Sequence, residues 1–186
     1  VVLVVLVCMG GCNAYNGMVG NQEAATTALA NVEATYQRRA DLIPNLAKTV
    51  QAYAQHERET REEVVKARAA ASQVKLDADN LTPEKMKAFQ EAQGQLSQAL
   101  GKLMVVVEKY PDLKASENFR SLQVQLEGTE NRINEARQKY NDAVQTYNKD
   151  VRTFPNVIFA GMFGFEKMEK FEAATGAEKA PELNFD

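Results

Sequence analysis

The side chains that could do chemistry in this 186-residue chain are few and scattered. The one histidine, His56, lies in Gln55-His56-Glu57-Arg58-Glu59. A helical zinc-protease motif needs a second histidine one turn on, so that both ligands share a face, and Thr60 stands there instead. His56 therefore reads as part of a solvated helix face. Cys8 and Cys12 both precede Asn13, so no disulfide framework, cysteine zinc site or thiol nucleophile is available to the rest of the chain. Asp77, Asp79 and Asn80 lack the glycine and closing glutamate that a calcium loop needs, and read as an acidic turn. Gly94, Gly101 and Gly128 sit singly inside helical patterns, where each costs about 1 kcal/mol relative to Ala, and close helix approach is the expected reason for them. A lone histidine with Ser72, Ser97, Ser116 and Ser121 does not assemble a nucleophile–base pair. No catalytic, cofactor-binding or metal-ligating residue is predicted, and the chain reads as no enzyme. The balance of 22 Lys+Arg against 25 Asp+Glu, without a basic block, argues against a nucleic-acid partner.

Two places suit binding better than catalysis. Arg38, Arg39, Asp41 and Asn45 cluster around Pro44. Either an arginine there pairs with Asp41 or with a glutamate of a neighbouring helix, or the group is a surface on which a partner docks. The second place is Phe154-Pro-Asn-Val-Ile-Phe-Ala-Gly-Met-Phe-Gly-Phe165, whose Phe154, Phe159, Phe163 and Phe165 are candidate apolar contacts. It is too short to span a bilayer, which takes about 20 apolar residues. It can fold back to cap a core, or stand exposed to a membrane interface or a protein.

The elements that must position these residues are helices. Apolar residues recur at spacings of three and four from Met18 onward, and no stretch alternates as a strand would. The series Met86, Phe89, Gln93, Leu96, Leu100, Leu103, Val107 breaks only at Gln93. Phe119, Leu122, Leu126, Thr129, Ile133, Ala136, Tyr140, Ala143, Tyr147, Asp150, Phe154 breaks only at Thr129 and Asp150, and Leu46, Val50, Tyr53, Glu57, Thr60, Val64 at Glu57 and Thr60. The fold class is all-α, an antiparallel up-and-down bundle. Thr82-Pro83 starts a helix, Tyr110-Pro111 stops it, and Phe154-Pro155 stops the next, which places helices near 44–76, 82–109 and 115–154. Before Pro44 two arrangements are open. The apolar phase runs unbroken from Ala25 to Leu46, as one kinked helix would require, and gives three helices. Against it, an interior proline costs about 3 kcal/mol, and a turn at Ala40-Asp41 gives four. Four helices are favoured.

Several runs are similar to the LemA family: Tyr15-Asn-Gly-Met-Val19, Tyr36-Gln-Arg-Arg-Ala-Asp-Leu-Ile-Pro-Asn-Leu46, Val64-Val-Lys-Ala-Arg-Ala69, Tyr110-Pro-Asp-Leu-Lys-Ala115, Leu126-Glu-Gly-Thr-Glu-Asn-Arg-Ile133, Tyr140-Asn141 and Phe154-Pro-Asn156 with Ala160-Gly-Met-Phe-Gly-Phe165. The resemblance implies a bacterial protein with an N-terminal membrane segment, an extracytoplasmic helix bundle and no established enzymatic activity.

The start of the chain agrees with such an anchor. Val1-Val-Leu-Val-Val-Leu-Val7 opens without an initiator methionine, and no charge occurs before Asn13. This stretch is either the end of a transmembrane helix or a lipoprotein signal, with Cys12 after Met9-Gly10-Gly11 as the lipidated residue. The expected organisation is an anchor over residues 1–14, a bundle over 15–154, and an apolar segment with a tail over 155–186. The expected function is a non-enzymatic, membrane-anchored scaffold or protein-interaction module on the extracytoplasmic side. Its partners would be the membrane and envelope proteins, with oligomerisation open. The alternative is a membrane-surface or membrane-shaping module that contacts lipid through 154–165.

Overall fold

The computed structural model describes residues 2–172, with side chains from Gly10 onward, Asp79 excepted. Val1, the side chain of Cys8 and the tail beyond Glu172 therefore lie outside the described residues. The three-and-four spacing folds into helices throughout: α1 (Val2–Tyr53), α2 (Arg58–Gln73), a 3₁₀ turn at Ala78–Asn80, α3 (Pro83–Val107), the short α4 (Pro111–Ala115), α5 (Glu117–Asp150) and α6 (Asn156–Phe163). Among the described residues there is no strand.

Contacts between elements fix the directions. Asn21 meets Asp150 and Arg39 meets Glu130, so α5 runs antiparallel to α1. Glu33 meets the Leu76 amide and Arg68 meets Ala40, so the chain through α2 also runs against α1. Tyr36 packs on Phe89 while Arg39 reaches Gln93 and Ser97, so α3 runs with α1. Four long helices thus go up, down, up and down, and α1 and α5 share the most extensive packing.

The helix boundaries differ from expectation in one region. The chain does not turn at Ala40-Asp41, and α1 runs through Pro44. Proline has no N–H to donate to the carbonyl four residues back. Here that carbonyl belongs to Ala40, and Arg68 Nε on α2 donates to it at 2.7 Å. Tyr36, Ala40, Ile43, Leu46 and Val50 are all buried, so the core face continues in phase through the proline. The turn comes later, at residues 54–57, where Arg61 Nη1 donates to the carbonyl of Ala54, just past the end of α1, at 2.8 Å. The expected 44–76 helix is therefore the end of α1 followed by α2, and neither a turn before Pro44 nor one helix from 44 to 76 describes it. His56 lies exposed in this turn rather than on a helix face.

Elsewhere the punctuation reads well. Thr82 caps α3 by accepting the Lys85 amide at 3.2 Å, with Pro83 at the first helical position. Ser116 caps α5 by accepting the Phe119 amide at 3.2 Å. Gly94, Gly101 and Gly128 do not mark close helix approach: a Cβ added at any of them would meet nothing within 4 Å.

The core forms three clusters along the bundle. One, around Ile43, Leu46, Leu103 and Phe119, fills the end at the α1–α2 turn. The second, around Leu29, Tyr36, Phe89, Tyr140 and Phe171, fills the middle. The third, Ala14, Met18, Tyr147, Val151 and Ala160, closes the end where α6 lies.

Candidate functional site

The positions where a polar residue interrupts the apolar spacing become ties between helices. Arg39 is 1% exposed. Its Nη1 donates to Ser97 Oγ at 2.9 Å and pairs with Glu130 Oε1 at 2.7 Å, while Nη2 donates to the Gln93 carbonyl at 3.2 Å and to Gln93 Oε1 at 2.5 Å. The guanidinium carbon lies 5.2 Å from the Tyr36 ring centre. Arg39 Nε is buried without a hydrogen-bond partner. One side chain of α1 thus holds α3 and α5 in register. Gln93 and Thr129, the two interruptions of the α3 and α5 series nearest this tie, are both buried. Burial holds the Tyr36 hydroxyl above its ordinary pKa, with Arg137 and Arg39 opposing the shift.

A second tie lies at the end of the bundle where α6 packs. Asp150 accepts from Asn21 Nδ2 at 2.8 Å through Oδ2 and from Asn156 Nδ2 at 2.5 Å through Oδ1, so α1, α5 and α6 meet on one carboxylate.

α6 has two faces. Ala160 is buried, and Phe159 and Phe165 pack on the third cluster. Tyr15 of α1 makes edge contacts with Phe163 and Phe165, at 5.0 and 5.6 Å between ring centres. The Phe159 ring lies so close to α1 that a Cβ added at Gly11 would come within 3.0 Å of it. Gly164 ends the helix at φ 75°, a left-handed conformation that favours glycine, and lets the Phe165 amide bond the Ala160 carbonyl at 3.0 Å. The other face carries Val157, Ile158, Met162 and Phe163, all exposed, with Met162 at 71%, and Phe154 just before the helix is 77% exposed. The segment therefore caps the core with one face and presents the other outward.

After Gly164 the chain runs back along α5 as a strap. Tyr140 donates its hydroxyl to the Glu169 carbonyl at 2.7 Å, and Phe171 is buried against Tyr140 and Phe89. Burial raises the Tyr140 pKa strongly, and Glu169 adds to the shift.

The sequence-derived docking residues separate. Arg38, Asp41 and Asn45 are exposed on one strip of α1, three and four residues apart. Arg39 points inward and is not part of that surface. Phe154 and Phe163 are exposed, whereas Phe159 and Phe165 are partly buried. Cys12 is a free, exposed thiol on α1. Sequence reasoning missed Arg68, Asp150 and the strap. The signals for them were Pro44, which orphans a carbonyl, and the interruption of the α5 series at Asp150. No described helix is long and apolar enough to cross a membrane. Among the described residues, no group of His, Cys, Asp and Glu is placed to hold a metal ion.

The family profile described as LemA family matches residues 28–185. The chain is 30% identical over 177 residues to magnetosome protein MamQ of Magnetospirillum gryphiswaldense, covering 84% of this chain and 64% of that protein. It is 30% identical over 176 residues to magnetosome proteins MamQ 1 and MamQ 2 of Paramagnetospirillum magneticum, covering 85% of this chain and 64% of each. The chain thus spans less than two thirds of the length of these curated relatives.

Proposed function

The chain belongs to the LemA family, and on that premise we propose that it is a non-enzymatic, membrane-associated bacterial scaffold whose bundle stands on the extracytoplasmic side and binds envelope proteins. The observation that carries this reading is the end of the bundle at which α6 lies. Phe159 packs against Gly11, so the outward apolar face of α6 lies beside the point where α1 leads back into the uncharged Val2–Val7 run. A membrane that holds residues 1–14 would meet α6 next. The relatives' description as magnetosome proteins agrees with work at a membrane. Arg38, Asp41 and Asn45, on an exposed strip away from that end, are the docking residues for a partner.

The exposed face of Val157, Ile158 and Met162 also favours a second reading, in which the bundle itself lies on or shapes the lipid surface. Fractionation with and without residues 1–14 separates the two. The scaffold reading expects the full chain in the membrane fraction, digestion by protease added from the extracytoplasmic side, and release of the shortened chain. Retention of the shortened chain on vesicles favours the surface reading. Digestion only from the cytoplasmic side rejects the proposed orientation. The mass of the membrane-bound chain decides the anchor, since a diacylglyceryl group on Cys12 at a new N-terminus excludes a spanning helix.

A further inference from the structure

The charge of this chain is unevenly spread. Its 22 Lys+Arg and 25 Asp+Glu leave a net charge of −3. Yet a groove of about 440 Å³ between α1 and α2, near the turn that joins them, carries four cations and one carboxylate. Lys48 comes from α1, and Arg58, Arg61, Lys66 and Glu62 come from α2. Glu62 accepts from Arg58 Nε at 2.6 Å, and that bond, with Lys66 and Arg61 nearby, holds its carboxyl below the ordinary range. The next carboxylate, Glu63, is already taken by Lys102 of α3 at 2.5 Å.

Donors are left over in this groove. Among the described residues, Lys48 and Lys66 make no hydrogen bond or close ion pair, and both Nη groups of Arg58 have no hydrogen-bond partner. Arg61 donates to the Ala54 carbonyl through Nη1 alone. Arg58 and Arg61 also stand in the first turn of α2, where the helix dipole disfavours cations and favours an anion beside them. The apolar part of the lining is Ala47 and Val65, and Val65 is 47% exposed. We propose that this groove docks an acidic segment of a partner protein, which brings carboxylates to Lys48, Arg58, Arg61 and Lys66 and an apolar side chain to Val65. A polyphosphate or other simple polyanion would satisfy the cations and leave Val65 uncovered. A bilayer held at the α6 end is remote, because α1 rises about 55 Å from Gly11, beside Phe159, to Lys48. Arg38, Asp41 and Asn45 do not line the groove, so the docking strip proposed above and this second surface can fail independently.

Fluorescence anisotropy with the full chain tests it. The probe is a labelled glutamate-rich peptide with leucines spaced one helical turn apart. It should bind, more weakly as salt is raised. Lys48→Glu with Lys66→Glu should weaken binding at least about tenfold, and Lys48→Gln with Lys66→Gln should weaken it in the same direction. Lys75→Glu with Lys167→Glu makes the same change of net charge at exposed lysines outside the groove, and should leave affinity within about threefold. Val65→Ser should also weaken the peptide. All four variants alter exposed side chains, so an unchanged melting temperature shows that the bundle is intact. Failure of the peptide to bind overturns the proposal, as does equal loss in the two glutamate pairs. Polyphosphate that binds as tightly as the peptide, together with no effect of Val65→Ser, shows a simple anion site and also overturns it.

Discussion

The Arg39 tie and the α6 face break the same rule in opposite directions. At mid-bundle a guanidinium is buried where the spacing calls for an apolar residue, and at the α6 end a set of apolar residues stands in solvent. A buried charge is tolerated only when it is paired and hydrogen-bonded. Arg39 meets that condition through five contacts to Ser97, Glu130, Gln93 and the Tyr36 ring. The α6 face has no such compensation among the described residues. A tie met inside the molecule, at every guanidinium nitrogen but Nε, sets the register of helices. An apolar face left exposed is where contact with a membrane or another protein is to be tested. The largest expected effect on stability therefore belongs to Arg39. Arg39→Ala leaves Gln93 and Glu130 facing an emptied site, and should cost about 3 kcal/mol in urea unfolding. Glu130→Gln keeps an acceptor for Arg39 Nη1 but leaves the buried guanidinium without its counter-ion, so it should cost about 2 kcal/mol, less than Arg39→Ala. Costs below about 1 kcal/mol for both would show that Arg39 is no more than a surface pair.

The next test concerns the tie that allows α1 to pass Pro44. Arg68→Ala strands the Ala40 carbonyl and should cost about 1–2 kcal/mol. In a Pro44→Ala background the residue at 44 regains an N–H for that carbonyl, so the same substitution should cost clearly less. A double-mutant cycle reads the difference directly. Additive costs would show that Arg68 does not compensate for the proline.

These two ties also mark how far the sequence could be read. The three-and-four spacing gives the helical class and almost every core position, because burial of one face is what a helix needs to form at all. The caps at Thr82 and Ser116 are local chemistry, and the Thr82 start was legible as such. The turn was misplaced because Pro44 was weighed as a local penalty, whereas the Ala40 carbonyl that it leaves without a donor is satisfied by Arg68, 28 positions away in sequence. The actual turn lay in plain view: Glu57 and Thr60 are successive polar residues at seam positions, and Glu57 accepts the Tyr110 hydroxyl at 3.1 Å. Arg39 could be read as a seam residue, but its partners Gln93 and Glu130 could not be named from one helix alone. The hold on the strap was hidden for a different reason. Asn141 and Asn148 bind the main chain of Phe171 and Met168, so only their seven-residue spacing carries the signal.

A smaller effect distinguishes the buried tyrosines of the middle and third clusters. Tyr140, Tyr36 and Tyr147 all have their pKa raised, chiefly by burial. The neutral form is thus favoured in the folded state, so this contribution is complete below the unfolded value of about 10 and is lost as pH rises towards the folded values. Stability should fall with pH above about 10. Tyr140→Phe should make that fall shallower and cost about 1 kcal/mol at neutral pH, through the lost bond to Glu169. An unchanged slope would mean that Tyr140 does not govern the alkaline limb.

The smallest effect on stability is expected at the α6 face, and there the smallness is itself the test. Ile158 and Met162 point away from the third cluster and are 53% and 71% exposed. Ile158→Asp with Met162→Asp removes no buried contact, so unfolding should shift by no more than about 0.5 kcal/mol. If the face meets lipid, the same pair of charges should abolish flotation of a chain lacking residues 1–14 with anionic vesicles. If it meets only the chain's own core, the order reverses: flotation is absent from the start and the melting temperature falls. Phe159→Ala supplies the opposite control, since Phe159 packs inward on the third cluster and against α1. It should lower stability, and weaken vesicle binding only as far as α6 itself is loosened. A face that can take two carboxylates without loss of folding, yet loses its lipid, is held in place by the bundle and not used by it.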